Sequence, residues 1–153
     1  MFGVFGGSAT GFAQDKPAAR QEPITVSAAS MEADQASGTL IFTGQAVAEQ
    51  GELTLHADRL IVYYAEQSRE IERVVAEGSV RIIHPLREAT GNHAVFLHSE
   101  QHITLTGDPV VRQGASFVRG ERIDLYLAEQ RSVVTGGAGR VSARFEEQDS
   151  EVR

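Results

Sequence analysis

Two short motifs recur along the chain at a fixed separation, and this repeat constrains the fold more than any other feature. The first motif is Gly-x-x-Val at Gly44 and Gly107, shortened to Gly-x-Val at Gly78. The second is a small residue followed by a polar one, and it begins 13 residues after the first in each copy, at Ala57, Gly91 and Gly120. Such a repeat has room for about two strands and buries an apolar face only by stacking on its neighbours. The spacing therefore predicts stacked antiparallel β-hairpins.

The hydrophobic pattern between the glycines agrees with this prediction. Apolar and polar residues alternate in short runs, which is typical of half-buried strands, at residues 24–27, 39–42, 53–56, 80–83, 102–105 and 122–125. None of the runs is long enough to indicate a helix. The extra residues between the first and second copies predict an insertion loop between Tyr64 and Glu72. The sequence thus favours an all-β fold.

The repeated glycines have two interpretations. A strand corner or bulge requires positive φ or a close backbone approach, both of which favour glycine. Alternatively, the glycines only mark turns, where glycine is common in general.

Composition excludes several functions. The formal net charge is −7 and Lys16 is the single lysine, so the chain lacks the basic surface that neutralises nucleic-acid phosphates. The absence of cysteine excludes disulfides, thiolate catalysis and cysteine-ligated zinc. No stretch approaches the roughly 20 apolar residues of a membrane span.

Three regions are expected from the changes in composition. Residues 1–23 resemble either the end of a secretory signal peptide, with small residues at Gly11 and Ala13, or a disordered leader and linker. Residues 24–145 form the predicted β-domain, and residues 146–153 a charged, flexible tail.

Catalytic patterns are missing from the sequence. There is no nucleophile beside a base, no phosphate-binding glycine loop and no paired-carboxylate motif, so we expect neither an enzyme nor a cofactor. His93, His98 and His102 lie close in sequence around Glu100, but on a strand residues 93 and 98 point to opposite faces, as do 93 and 102. We therefore expect surface histidines and no metal site.

The order and spacing of these segments resemble the OstA-like proteins of lipopolysaccharide transport. The resemblance rests on residues 24–26, 29–34, 39–47, 50–60, 105–107 and 120–123. It implies a twisted, open β-jellyroll whose interior shelters the acyl chains of lipopolysaccharide. It also implies a periplasmic location and a bridge in which jellyrolls join end to end, with copies of themselves, an inner-membrane-anchored partner and an outer-membrane translocon.

Twelve apolar side chains are candidates to line a lipid groove, because alternate residues of an open sheet face its interior. They are Ile24, Val26, Leu40, Phe42, Leu53, Leu55, Ile82, Phe96, Leu105, Phe117, Ile123 and Leu125. An ordinary dry core is the alternative for the same residues. The sequence does not decide which side chains point inward at residues 59–62 and 81–83, because a slip of one residue in the register would exchange the two faces.

The first and last strands are the expected sheet edges, which invite strand addition by another chain. The expected edge residues are Ile24, Thr25, Val26 and Ser27 at one end, and Arg140, Val141, Ser142, Ala143, Arg144 and Phe145 at the other. A terminus that folds back over its edge is the alternative. The resemblance favours a lipopolysaccharide carrier and bridge over a structural or adhesive β-repeat protein without a groove.

Overall fold

The structure, a computed structural model, describes residues 22–146 and consists of β-strands joined by turns. The predicted leader up to residue 21 and the predicted tail from residue 147 lie outside the described residues. The described part contains no helix long and apolar enough to cross a membrane. Its strands are β1 (Thr25–Ser27), β2 (Ser30–Asp34), β3 (Thr39–Gln50), β4 (Leu53–Tyr64), β5 (Ile71–His84), β6 (Arg87–Leu97), β7 (His102–Thr106), β8 (Val110–Gln113), β9 (Ser116–Arg119), β10 (Arg122–Tyr126), β11 (Arg131–Thr135) and β12 (Ser142–Arg144).

The strands pair antiparallel in two layers that share the long strands β3 to β6. The upper layer runs β2, residues 39–43 of β3, 59–63 of β4, 73–77 of β5, 93–97 of β6, then β7, β10 and β11. The lower layer runs β1, residues 46–50 of β3, 53–57 of β4, 80–84 of β5, 87–91 of β6, then β8, β9 and β12. This is an open β-jellyroll, as the resemblance implies. The strands are longer than the predicted runs, because β3, β4, β5 and β6 each continue from one layer into the other.

The repeated glycines lie at the corners where the chain passes between layers. Gly107 and Asp108 have φ of 80° and 56° at the third corner, and both residues of the corresponding pair also have positive φ at the first two corners. A Cβ on Gly107 would lie 2.5 Å from the Cβ of Asn92, whose backbone N–H donates to the Gly107 carbonyl at 3.1 Å. Asn92 belongs to the second motif of the preceding copy. The 13-residue repeat therefore encodes a corner, and the turn-only interpretation is wrong here.

Inward-facing side chains form one core between the layers. Leu40, Val62, Val74, Phe96, Ile103 and Leu125 are consecutive cross-strand partners on the inner face of the upper layer. Four of the inward residues next to the corners are alanines, at positions 46, 57, 76 and 94, all at most 4% exposed. Ala76 lies beside Leu60 and Ala94 beside Leu105, and both pairs are buried.

The strand register also decides which side chains point inward at residues 59–62 and 81–83, which the sequence left undecided. Leu60 is fully buried on the inner face, and Ile61 faces outward beside Ile41 and Val75. In β5, Ile82 faces inward beside Leu55, and Ile83 faces outward beside Thr54. The predicted insertion forms the loop between β4 and β5, closed by a hydrogen bond from the Arg69 N–H to the Ala65 carbonyl at 2.7 Å.

Candidate functional site

The interior opens as a cavity of about 660 Å³ at the end formed by the first strands. Four of the predicted lining residues lie on its wall: Ile24, Val26, Leu40 and Phe42. Each is partly exposed while packing against the buried core. Gln35, Glu66 and Arg69 bring polar groups to the same cavity. This end has the form of an apolar pocket with a polar rim, which suits the chains of an amphiphile.

The centre of the interior is closely packed. Leu53, Leu55, Ile82, Phe96 and Leu125 surround two cavities of only about 20 and 30 Å³, each with room for about one water-sized group. The structure thus places these predicted lining residues in a tight core. The remaining two inward candidates, Leu105 and Ile123, have no exposed surface at all.

A second cavity, of about 610 Å³, opens at the end formed by the last strands. Val111, Val118 and Val134 contribute to its wall, and Phe145 lies at its opening with 76% of its surface exposed. Sequence reasoning missed the three valines because β8, β9 and β11 are short and their facing depends on pairing. The signal available was the Gly114-Ala115 turn, which sets Val118 opposite Val111.

The structure corrects the inward assignment of Phe117. Phe117 pairs with Arg112, which pairs in turn with Glu88, so these side chains share the outer face of the lower layer. The guanidinium carbons of Arg112 and Arg119 lie 5.7 and 5.5 Å from the Phe117 ring centroid. Phe117 reaches the second cavity only at its rim, and Val118 takes the inward position on β9.

Each end of the sheet has two edge strands, one from each layer. At the first end they are β1 and β2, both paired to β3, and at the last end they are β11 and β12. The prediction included β1 and β12 but missed β2 and β11. It was also too long at both ends, because Ile24 precedes β1 (Thr25–Ser27), and Arg140, Val141 and Phe145 lie outside β12 (Ser142–Arg144).

A polar cluster that the sequence analysis missed lies on the outer face of the upper layer. Asp124, only 5% exposed, accepts hydrogen bonds from Thr104 and Arg122 and lies 2.9 Å from Nε2 of His102. His102 also stacks on Tyr126, with ring centroids 4.4 Å apart. With 13% of its side chain exposed, His102 is not the surface histidine that was expected.

The electrostatics of this cluster favour the ionised carboxylate. Burial alone would raise the pKa of Asp124, but the hydrogen bonds from Arg122, His102 and Thr104, together with the Arg122 charge, outweigh it and lower the pKa below its ordinary value. The hydrogen bond to Asp124 likewise raises the pKa of Arg122. Within residues 22–146, no three His, Cys, Asp or Glu side chains converge as metal ligands would.

Comparison with known proteins agrees with this two-layered, open architecture. Residues 25–131, more than half of the chain, match the family described as "LptA/(LptD N-terminal domain) LPS transport protein". The chain therefore belongs to this family of lipopolysaccharide transport proteins.

Individual relatives are distant but match over most of their length. An uncharacterized protein of Rhizobium meliloti is 24% identical over 135 residues, covering 83% of this chain and 73% of the relative. The lipopolysaccharide export system protein LptA of Escherichia coli K12 is 23% identical over 127 residues, covering 78% and 68%.

A solved structure shares the fold. It is LptH of Pseudomonas aeruginosa, described as the LptA-homologous periplasmic component of the lipopolysaccharide transport device. The TM-score is 0.74 at 19% identity, over 82% of this chain and 96% of LptH.

Proposed function

We propose that this protein is a periplasmic carrier that shelters the acyl chains of lipopolysaccharide inside its jellyroll and passes the lipid towards the outer membrane. The observation that carries the proposal is an apolar interior that opens at both ends as large cavities. Chains held there would be retained by burial of apolar surface, at roughly 25 cal/mol per Å². Because this attraction is non-directional, the chains would stay free to slide.

The arrangement of edges supports a role as a bridge. Edge strands carry unpaired N–H and C=O groups that pair with a strand of another chain. Since each end presents edges beside a cavity opening, a copy added at either end would extend the sheet and the apolar interior together. We infer head-to-tail joining of copies, and joining of the terminal copies to membrane-anchored partners. No chemical step is part of this function.

The proposal is tested by lipid A binding to matched variants on neighbouring residues of β3. Phe42 faces the first cavity and Ile41 faces outward, and both are partly exposed. We expect Phe42→Asp to weaken binding by roughly tenfold or more, because it replaces about 1.5–3 kcal/mol of apolar contact by a charge. Ile41→Asp should leave binding unchanged.

Binding would be measured by native mass spectrometry, with circular dichroism to confirm that both variants fold. Equal losses for the two variants, or no lipid A binding by the unaltered protein, would contradict the proposal.

A further inference from the structure

Arg87 is a charged side chain that faces the apolar interior. It pairs with His84 at the turn between β5 and β6. The next inward pair along the same two strands is Ile82 and Ala89, which are 3% and 4% exposed. One guanidinium nitrogen of Arg87 donates to the Ser132 hydroxyl at 3.2 Å. Ser132 lies opposite Leu125, next to the turn between β10 and β11. The hydrogen bond therefore joins the lower layer, through β6, to the upper layer, through β11. It lies on the side of the jellyroll opposite the corners, where no described strand connects the two layers, and we call this side the open margin.

The partner of Arg87 is a hydroxyl, whereas five other arginines pair with carboxylates, and Arg73, Arg112 and Arg119 lie over aromatic rings. Carboxylates pair with Arg59, Arg81, Arg122, Arg131 and Arg144. Within residues 22–146, no carboxylate lies within ion-pair distance of Arg87. Glu146, which lines the same 610 Å³ cavity as Arg87, is held by Arg144. A guanidinium has five N–H donors, and one hydroxyl leaves most of them available for an anion.

The surroundings of Arg87 have the shape of an amphiphile site. His84, Arg87 and Arg131 line the 30 Å³ cavity together with apolar groups that include Leu125 and Leu127. Arg87 also lines the 610 Å³ cavity at the last end of the sheet. Arg87 thus places one cationic side chain directly beside apolar volume, in a chain whose net charge is −7.

We propose that Arg87, supported by His84, binds a phosphate group on the headgroup of a lipid whose acyl chains occupy the last cavity. The forked guanidinium donates two parallel hydrogen bonds to phosphate oxygens, which a hydroxyl does not accept. Phosphate therefore displaces Ser132, and the contact across the open margin is exchanged for one to the lipid. This inference rests on the proposed function and assigns a headgroup contact to it.

The test compares bisphosphorylated and dephosphorylated lipid A binding to the purified full chain. We expect the unaltered protein to prefer the bisphosphorylated form, and Arg87→Gln to weaken binding of that form by roughly tenfold, the size of one charge-assisted hydrogen bond. Dephosphorylated lipid A should bind equally to both proteins. Arg81→Gln, which changes an outward-facing arginine on the adjacent strand, is the matched control and should retain the preference.

Ser132→Ala separates anion binding from a structural tether. It removes the resident partner of Arg87, so binding of bisphosphorylated lipid A should be unchanged or stronger. A loss that matches that of Arg87→Gln would overturn the inference and make the pair a tether. Equal binding of the two lipids by the unaltered protein would also overturn it, whereas no binding of either lipid would contradict the proposed function itself.

Inorganic phosphate alone distinguishes the source of the anion. We expect no saturable binding, because the acyl chains supply most of the affinity. Saturable phosphate binding that Arg87→Gln abolishes would make this a site for free phosphate and contradict the headgroup assignment.

Discussion

At the scale of the residue, Asp124 shows how pairing between distant segments creates a buried charge on the outer face. Its partners His102 and Thr104 come from β7, 22 and 20 residues earlier in the sequence. Each side chain alone is an unremarkable polar residue on a strand. Only the register of β7 against β10 brings them together, so the cluster was not predictable from the sequence.

Asp124→Asn is predicted to change both the stability and its pH dependence. Because the pKa of Asp124 is lowered by folding, its contribution is complete above the unfolded value of about 4 and is lost as pH falls through the folded value. The substitution should cost roughly 1–3 kcal/mol at pH 7 and flatten the loss of stability in acid. Urea unfolding between pH 7 and pH 2 measures both effects.

Glu129→Gln is the control for this experiment. Glu129 pairs with Arg131 at the surface, with side chains 60% and 53% exposed, so its loss should cost no more than about 1 kcal/mol. If Asp124→Asn behaves like this control, the proposed stabilisation by the cluster is wrong.

The side of the sheet that a residue faces was predicted correctly for most of the alternating runs, including the four residues 39–42 of β3. Leu40 and Phe42 on β3 were assigned inward, and the structure places both on the inner face. Phe117 was assigned inward on hydrophobicity, but the two-residue turn after Gln113 sets the register and gives that position to Val118. Pairing across a tight turn can therefore override the face that hydrophobicity alone suggests.

At the scale of the element, the repeated glycines form the corners at which the chain passes from one layer to the other. Gly107→Ala is expected to destabilise the protein by about 1–3 kcal/mol, because alanine is strained at φ of 80° and its Cβ would collide with Asn92. Thermal or urea unfolding gives the value.

Gly139→Ala is the matched control for the corner. Its Cβ would lie 3.6 Å from the Gly136 carbonyl oxygen, an ordinary contact, so the change in free energy of unfolding should be below about 1 kcal/mol. Equal effects at the two glycines would contradict a special role for the corner.

The edge strands predict directional association. Glu32 on β2 and Val133 on β11 lie in corresponding outward rows at opposite ends of the upper layer. Since the chain has no cysteine, Glu32→Cys and Val133→Cys are unique thiols. Mixing the two variants under oxidising conditions should give more disulfide-linked dimer than either variant alone, because head-to-tail contacts join unlike edges.

His93→Cys, in the middle of the same outer face, is the control for edge association. Its mixture with Glu32→Cys should show no such excess on non-reducing gels. Self-linking of each edge variant at the level of the mixture would instead indicate contacts between like edges and contradict the head-to-tail arrangement.

At the scale of the whole molecule, the repeat predicted the fold class better than it predicted the interior. The 13-residue spacing and the alternation indicate stacked antiparallel strands, and the structure confirms an all-β jellyroll. The division of the interior into two open ends and a packed centre was not predictable. It depends on how large side chains such as Leu53, Phe96 and Leu125 from different strands meet across the layers.

The central claim is that lipopolysaccharide occupies the interior, and photo-crosslinking in living cells tests it most directly. Probes would replace Val26 and Phe42 at the first cavity, Phe96 in the centre and Val118 at the last cavity. Ile41 and Glu129, which lie on the outer face and in a surface turn, are the controls. We expect lipopolysaccharide adducts at Val26, Phe42 and Val118 and none at the controls, with Phe96 labelled only if chains pass through the packed centre. The absence of adducts at all four interior positions, or equal labelling of Ile41 and Phe42, would contradict the account.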